Sequence, residues 1–142
     1  MLYVYSDAAS KGTKAVATTF IITEDTFITC FSNVYENVSS SVTAELLGTV
    51  QAMKYVYENC SDEVQVVVLI DNKSIVIKYI KVLSEWVVEE DDENKELYEQ
   101  LLVYSEGFKI NVQHIRGHQH TQNPNKVCDV ISKVYLWKGE HP

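Results

Sequence analysis

The pattern along this chain is that of an α/β protein, a mixed sheet with helices on both faces. Two observations carry that reading. Three segments rich in β-branched and aromatic residues, 2–6, 15–23 and 26–34, follow one another across short polar turns, the spacing that hairpin-joined strands need. Beyond residue 40, helical and strand-like patterns alternate, and alternation of that kind lays helices against a sheet.

Each element has its own warrant. The first strand ends at Ser6-Asp7, Lys11-Gly12-Thr13-Lys14 makes a polar turn, and Glu24-Asp25 separates the second and third strands. The serine tract 39–41 closes the third strand, and Ser41 or Thr43 is positioned to cap a helix whose apolar face is Leu46, Leu47, Val50, Met53 and Tyr57. Val64 to Ile70 is a short, almost continuous apolar run, as in a strand covered on both sides. Asn72 or Ser74 then caps a helix with Val76, Tyr79, Ile80 and Leu83 at helical spacing, despite its many β-branched residues. An acidic stretch from Trp86 leads into a helix carrying Leu97, Leu101 and Tyr104. A last strand occupies 109–115, and the polar loop 116–122 ends at Asn123-Pro124, the cap and first residue of a closing helix.

Composition narrows the function classes. A length of 142 residues with 46% apolar content suits one domain over 1–142 that buries a core. A formal charge of −8 excludes a protein that grips nucleic acid by bulk attraction. Three scattered cysteines, Cys30, Cys60 and Cys128, form no C-x-x-C pair and point to a reducing, cytoplasmic setting. With no signal-peptide pattern, and no apolar stretch near the roughly 18 residues of a membrane span, the expectation is a soluble, unprocessed chain with no membrane partner.

Four carboxylates stand out by position. Asp7 and Asp71 follow apolar strands, Glu45 sits near the start of an amphipathic helix, and Asp129 lies in NPNKVCDVIS. Singly, each has an ordinary explanation as a turn former, first-turn acid, cap or ion-pair partner. Together, on adjacent parallel strands and the helices crossing their carboxyl ends, they would form a negative cradle that divalent cations must fill. Oxygen donors without a matching His or Cys set favour Mg²⁺, with Mn²⁺ as a substitute, over zinc. Two such ions about 4 Å apart suit in-line phosphoryl displacement. His114, His118, His120 and Cys128 have zinc-type donors but irregular spacing. Trp86 and Trp137 read as packing residues rather than base-stacking ones. Lys73, Lys78 and Lys81 read equally well as phosphate contacts or as a solvated face.

From YVYSDAAS through TAELLG and VVLIDNKS to HIRGHQHTQNPNKVCDVIS, the chain resembles type 1 ribonuclease H over nearly its whole length. The resemblance implies a five-stranded sheet, three strands antiparallel and two parallel. It also implies a two-metal endoribonuclease acting on the RNA strand of RNA/DNA hybrids, leaving 5′-phosphate and 3′-hydroxyl ends. Carried over by position, Asp7, Glu45, Asp71 and Asp129 are the metal ligands, His118 is the loop histidine that assists proton movement or product release, and Asn125 supports that loop. Substrate contacts fall on Ala8, Ala9, Ser10, Ser41, Asn72 and Lys73. A protein partner is compatible with the sequence but not indicated by it. Three departures stand out: Ala8 replaces the glycine of D-G-S, Ser41 and Val42 replace paired asparagines, and the acidic run Trp86 to Glu96 replaces a basic substrate-handling region. The fold class also hosts nucleases for branched DNA or double-stranded RNA, and inactive nucleic-acid-binding modules.

Overall fold

The computed structural model describes residues 1–61 and 64–115. Strands β1 (Leu2–Lys11), β2 (Lys14–Ile22) and β3 (Phe27–Tyr35) are followed by α1 (Ser41–Asn59), β4 (Gln65–Ile70), α2 (Lys73–Glu85), α3 (Lys95–Ser105) and β5 (Lys109–His114). The sheet order is β3-β2-β1-β4-β5. The first three strands pair antiparallel, and β1–β4 and β4–β5 pair parallel, so the mixed five-stranded sheet is as expected. The loop 116–122 and the closing helix expected from Asn123 lie outside the described residues.

Local chemistry explains the turns and caps. Gly12 supplies a left-handed φ of 63° in the two-residue turn between Lys11 and Lys14. At the next turn the Thr23 hydroxyl accepts from the Asp25 and Thr26 amides. The cap of α1 is Ser40, one residue before the expected Ser41, and its side chain accepts from the Thr43 amide. Asn72 caps α2 as expected, accepting from the Ile75 amide.

One core joins the elements. Leu2 and Val4 of β1, Val66, Val68 and Ile70 of β4 and Val112 of β5 meet Leu46, Val50, Met53 and Val56 of α1, Ile75, Val76, Tyr79 and Val82 of α2, and Tyr98 and Leu101 of α3. The three described helices therefore cover one face of the sheet, and a helix on the other face, also expected, is not among the described residues. Their inward faces are largely the expected ones, with Leu46, Val50, Met53, Val76, Tyr79 and Leu101 all buried. Tyr57 and Ile80 each stand 47% exposed, while Val56 and Ile75 are fully buried. Apolar residues lie on more than one side of these helices, so spacing alone did not settle those positions. Buried polar groups are satisfied: Gln51 donates to the Ala17 carbonyl and Thr19 hydroxyl, and accepts from Asn33 and Tyr35.

Strand β1 runs on through Asp7 to Lys11 instead of ending at residue 6, because β2 pairs with it from Tyr3 to Lys11. Trp86 is 56% exposed rather than packed, since it forms the left-handed C-cap of α2 with φ 52° and its amide bonds the Val82 carbonyl. Trp137 lies outside the described residues.

Candidate metal centre

Backbone register sets the two aspartates side by side. β1 and β4 pair with a constant offset, from Leu2 against Val66 to Tyr5 against Leu69. Two residues further along, the same offset brings Asp7 level with Asp71, where pairing with β4 has ended but pairing with β2 continues. Asp71 follows β4 immediately and precedes the α2 cap Asn72. Its carbonyl is 2.9 Å from Nε2 of His114 on β5, and the Ile115 amide donates to the Ile70 carbonyl. The turn that carries Asp71 is thus tied to the neighbouring strand.

Glu45 reaches the same place from α1. At Gly48, one turn further on, the helix lies beside β1: a Cβ built there would be 3.6 Å from the Asp7 carbonyl oxygen and 3.8 Å from the Ser6 Cβ, ordinary contact distances. The Ser6 and Thr49 hydroxyls, both buried, add a 3.4 Å contact across the same seam. Gly48 and His114 are the positioning residues that pattern reading missed. A glycine inside a helix costs about 1 kcal/mol relative to alanine, and that cost is the available signal for a close approach.

Asp7, Glu45 and Asp71 each bring a carboxylate oxygen into a group whose members all lie within 4.8 Å of one another. Asp7 is 3% exposed. Burial raises the Glu45 carboxyl well above the usual carboxylate range, and the adjoining Asp7 and Asp71 push it the same way, while a hydrogen bond from the Ala8 amide opposes them. That amide also donates to Asp7 Oδ1 at 2.9 Å.

Negative charge packed this densely calls for a proton or a cation. Hard oxygen donors suit a small divalent ion, which with ligands at about 2.1 Å spans about 4.2 Å between opposite oxygens, so a slight contraction would bring all three within reach. Among the described residues this is the one group of three or more potential ligands. The fourth expected ligand, Asp129, lies outside the described residues, as do His118, His120, Asn125 and Cys128.

The expected substrate-contact residues lie on the elements that carry the triad or at their ends. Ala8 follows Asp7, and its methyl packs against the cluster of Ala15, Val38 and Ala44 beneath the start of α1. The extra carbon relative to glycine is therefore accommodated inside the protein. Ala9 is 8% exposed and packs with Val16, so its side chain is buried and its backbone is what remains to contact a ligand. Ser10 and Ser41 are exposed, as is Lys73 at the first position of α2, whereas the Asn72 side chain is engaged by Ile75 and Ser74.

The acidic stretch is organised by its own contacts. Asp92 pairs with Lys78 at 2.7 Å, Glu89 with Lys81 at 3.0 Å and Glu90 with Lys95 at 2.9 Å. Lys78 also lies 5.4 Å from the Tyr98 ring centre. Lys78 and Lys81 are thus occupied by neighbouring carboxylates. Asn94 accepts from the Thr43 hydroxyl at 3.0 Å, tying the stretch to the start of α1.

This sheet order, with carboxylates converging where β1 and β4 part, defines a ribonuclease H-like α/β protein. The RNase H family model matches residues 1–135, and the chain belongs to that family. No curated protein matches the sequence. Among solved structures, ribonuclease H1 of Halobacterium salinarum NRC-1 is 15% identical with a TM-score of 0.74, over 96% of this chain and 98% of that one. LC11 ribonuclease H1 in complex with RNA/DNA hybrid is 15% identical with a TM-score of 0.66, over 94% of each chain. The prototype foamy virus protease-reverse transcriptase is 16% identical with a TM-score of 0.70; 93% of this chain is covered, but it spans only 20% of that one.

Proposed function

We propose that this chain, as one domain over 1–142, is a metal-dependent endoribonuclease that hydrolyses the RNA strand of RNA/DNA hybrids, leaving 5′-phosphate and 3′-hydroxyl ends. The observation that carries this reading is the convergence of Asp7, Glu45 and Asp71 within 4.8 Å in a chain of the RNase H family. Asp7, Glu45, Asp71 and Asp129 would hold two Mg²⁺ ions, or Mn²⁺ in their place. When bound, such ions supply an activated water and stabilise the departing 3′ oxygen.

The chain's own groups do the rest. The Ala8 amide bonds the Asp7 carboxylate, with Glu45 sharing that amide, and His114 holds the backbone of Asp71. His118 would assist proton movement or product release. Discrimination of RNA from DNA requires contact with 2′-hydroxyls across the minor groove, for which the backbone at 8–10, Ser41 and Glu45 are the candidates. Asn72 and Lys73 would border the scissile strand, and Asn125 would support the His118 loop. No described helix is long and apolar enough to cross a membrane. The setting proposed is cytoplasmic.

The test is cleavage of end-labelled RNA/DNA hybrid, double-stranded RNA and branched DNA, each with Mg²⁺, Mn²⁺ or chelator. Divalent-dependent cuts confined to the RNA strand of the hybrid are expected. Cleavage of another substrate in preference would reassign the specificity. Binding without turnover on any substrate would make the chain a binding module.

A further inference from the structure

Asn94 stands at the N-cap of α3 but does not cap it. Asparagine is among the residues favoured there, because its side chain can accept from a free amide of the first turn. Here its φ of −111° and ψ of 31° lie outside the extended region usual for a cap, and its side chain makes no cap hydrogen bond. It turns to α1 instead: Asn94 Oδ1 accepts from the Thr43 hydroxyl at 3.0 Å. A residue that gives up a local bond for one far away in the chain answers to a constraint outside its own helix.

The distant partner is two residues from Glu45. Thr43 lies in the first turn of α1; its hydroxyl also accepts from Ser40 at 3.1 Å, and its amide donates to the Ser40 side chain that caps the helix. On the side of α1 that faces the acidic stretch, Ser41 and Val42 are exposed beside a groove of about 590 Å³. Polar bonds rather than apolar packing hold the turn on that side.

The other end of this bridge is anchored on α2. Asp92 accepts from the Asn94 amide at 2.8 Å and pairs with Lys78 of α2 at 2.7 Å, so Lys78, Asp92, Asn94 and Thr43 form a continuous polar chain. α1 lies against β1, β2 and α3, and α2 against β4, β5 and α3, but the two helices approach each other little. Glu45 is on α1, and Asp71 stands two residues before α2. A brace between the helices thus joins the supports of two carboxylates that converge within 4.8 Å.

We propose, resting on the reading of Asp7, Glu45 and Asp71 as ion ligands, that Asn94 is a positioning residue for Glu45. By holding Thr43 it fixes the first turn of α1, and with Asp92 and Lys78 it braces α1 against α2.

Kinetics on RNA/DNA hybrid and hydrogen–deuterium exchange, both on the full chain, test this together. Asn94→Ala should lower kcat about tenfold with KM within about threefold, and should raise several-fold the Mg²⁺ concentration that gives half the maximal rate. Asn94→Asp keeps the acceptor oxygen and should hold kcat within about twofold of wild type. Thr43→Val removes the same bond from the other side, so combining it with Asn94→Ala should lose little more than the worse of the two alone. Tyr79→Phe breaks the buried 2.6 Å bond to Ser105 between α2 and α3, and should lower the unfolding midpoint without changing kcat. Without metal or substrate, amides 44–46 should exchange several-fold faster in Asn94→Ala and at the wild-type rate in Asn94→Asp. Unchanged kcat in Asn94→Ala would overturn the proposal: with faster exchange the bond is structural only, and with unchanged exchange it holds nothing. A multiplicative loss in the double variant would overturn it too. A wild-type chain that cleaves no hybrid would remove the ligand reading and this role with it, whereas a cleaving wild type beside an indifferent Asn94→Ala removes this role alone.

Discussion

Gly48 of α1 lies against the backbone of Asp7 on β1, so closely that an added Cβ would stand 3.6 Å from the Asp7 carbonyl oxygen and 3.4 Å from the Ala17 Cβ. Those separations are ordinary contact distances for one carbon and leave no room for a second. Glu45 sits three residues earlier, on the same side of the helix, so the distance between α1 and β1 at Gly48 sets the distance between Glu45 and Asp7.

A methyl group at residue 48 should therefore be tolerated. Gly48→Ala gains helix propensity of about 1 kcal/mol less any local crowding, and is expected to match or slightly exceed wild type in urea unfolding while keeping hybrid cleavage within a few-fold. Gly48→Leu must push α1 away from β1. It should lose about 1–3 kcal/mol by overpacking and lose cleavage more steeply than stability, as Glu45 leaves the cluster.

Neutralising one member of the carboxylate cluster should separate activity from stability. Asp71→Asn is expected to abolish cleavage, and Glu45→Gln to reduce it at least 100-fold, because each removes a proposed ion ligand. With chelator present, both variants should unfold at equal or higher urea concentration than wild type, since they relieve repulsion among groups within 4.8 Å. Added Mg²⁺ should stabilise wild type more than either variant. Full activity in Asp71→Asn would remove the assigned site.

His114 offers a subtler test, because it acts on the main chain of Asp71 rather than on a ligand. His114→Ala should leave the fold intact, as the side chain is exposed, yet lower the rate of hybrid cleavage about tenfold by freeing the Asp71 turn. His114→Gln, which keeps a polar group within reach of the carbonyl, should recover part of that loss. The same Mg²⁺ titration should show weaker apparent metal affinity in His114→Ala.

What the sequence made legible follows from the range of the forces involved. The order of elements and the Asp7–Asp71 relationship depend on local pattern and on the direction of β1 and β4, both readable from apolar runs and their lengths. The end of β1 was not readable, because the small residues Ala8 and Ala9 break the alternation while β2 still pairs with them. Val76 and Tyr79 of α2 were readable as inward but Ile75 was not, because Ile77 and Ile80 look as apolar and only the positions of β4, β5 and α3 decide. Lys78 and Lys81 were ambiguous for the same reason. Their partners Asp92 and Glu89 follow 14 and 8 residues later, beyond the turn at Trp86.

The Asp92–Lys78 pair gives the fold an acid-sensitive contact. Burial of Asp92 favours its neutral form, but the hydrogen bonds from Lys78 and the Asn94 amide, with the Lys78 charge, outweigh burial and hold the carboxyl below its ordinary value of 3.8. A carboxyl depressed in the folded state binds its proton more readily in the unfolded chain. Its stabilisation is therefore present above the unfolded pKa and is lost as pH falls through the folded one. Asp92→Asn should cost about 1 kcal/mol at pH 7, with Lys78 partly exposed and screened, and the gap from wild type should close as acid protonates the folded-state carboxyl. Urea midpoints measured across that range decide the point; a gap that persists in strong acid would mean Asp92 acts through shape rather than charge.

The acidic stretch also sets how the chain holds a polyanion. Binding that neutralises phosphates loses affinity with salt in proportion to the number of cations engaged, with log K falling by roughly 0.7–0.9 per contact. Lys78 and Lys81 already face Asp92 and Glu89 at 2.7 and 3.0 Å, so a phosphate must compete with those carboxylates. The wild-type chain should accordingly bind hybrid weakly and with a shallow salt slope. Glu89→Gln frees Lys81 without adding a positive side chain, and Glu89→Lys combined with Glu90→Lys also reverses the local field. If this surface lies beside the bound hybrid, KM should fall by a few-fold in the first variant and about tenfold in the second. The salt slope should steepen by about one unit per freed lysine while kcat stays unchanged, since none of these residues touches the Asp7–Glu45–Asp71 cluster. An unchanged KM and slope in both would place the hybrid on a different surface.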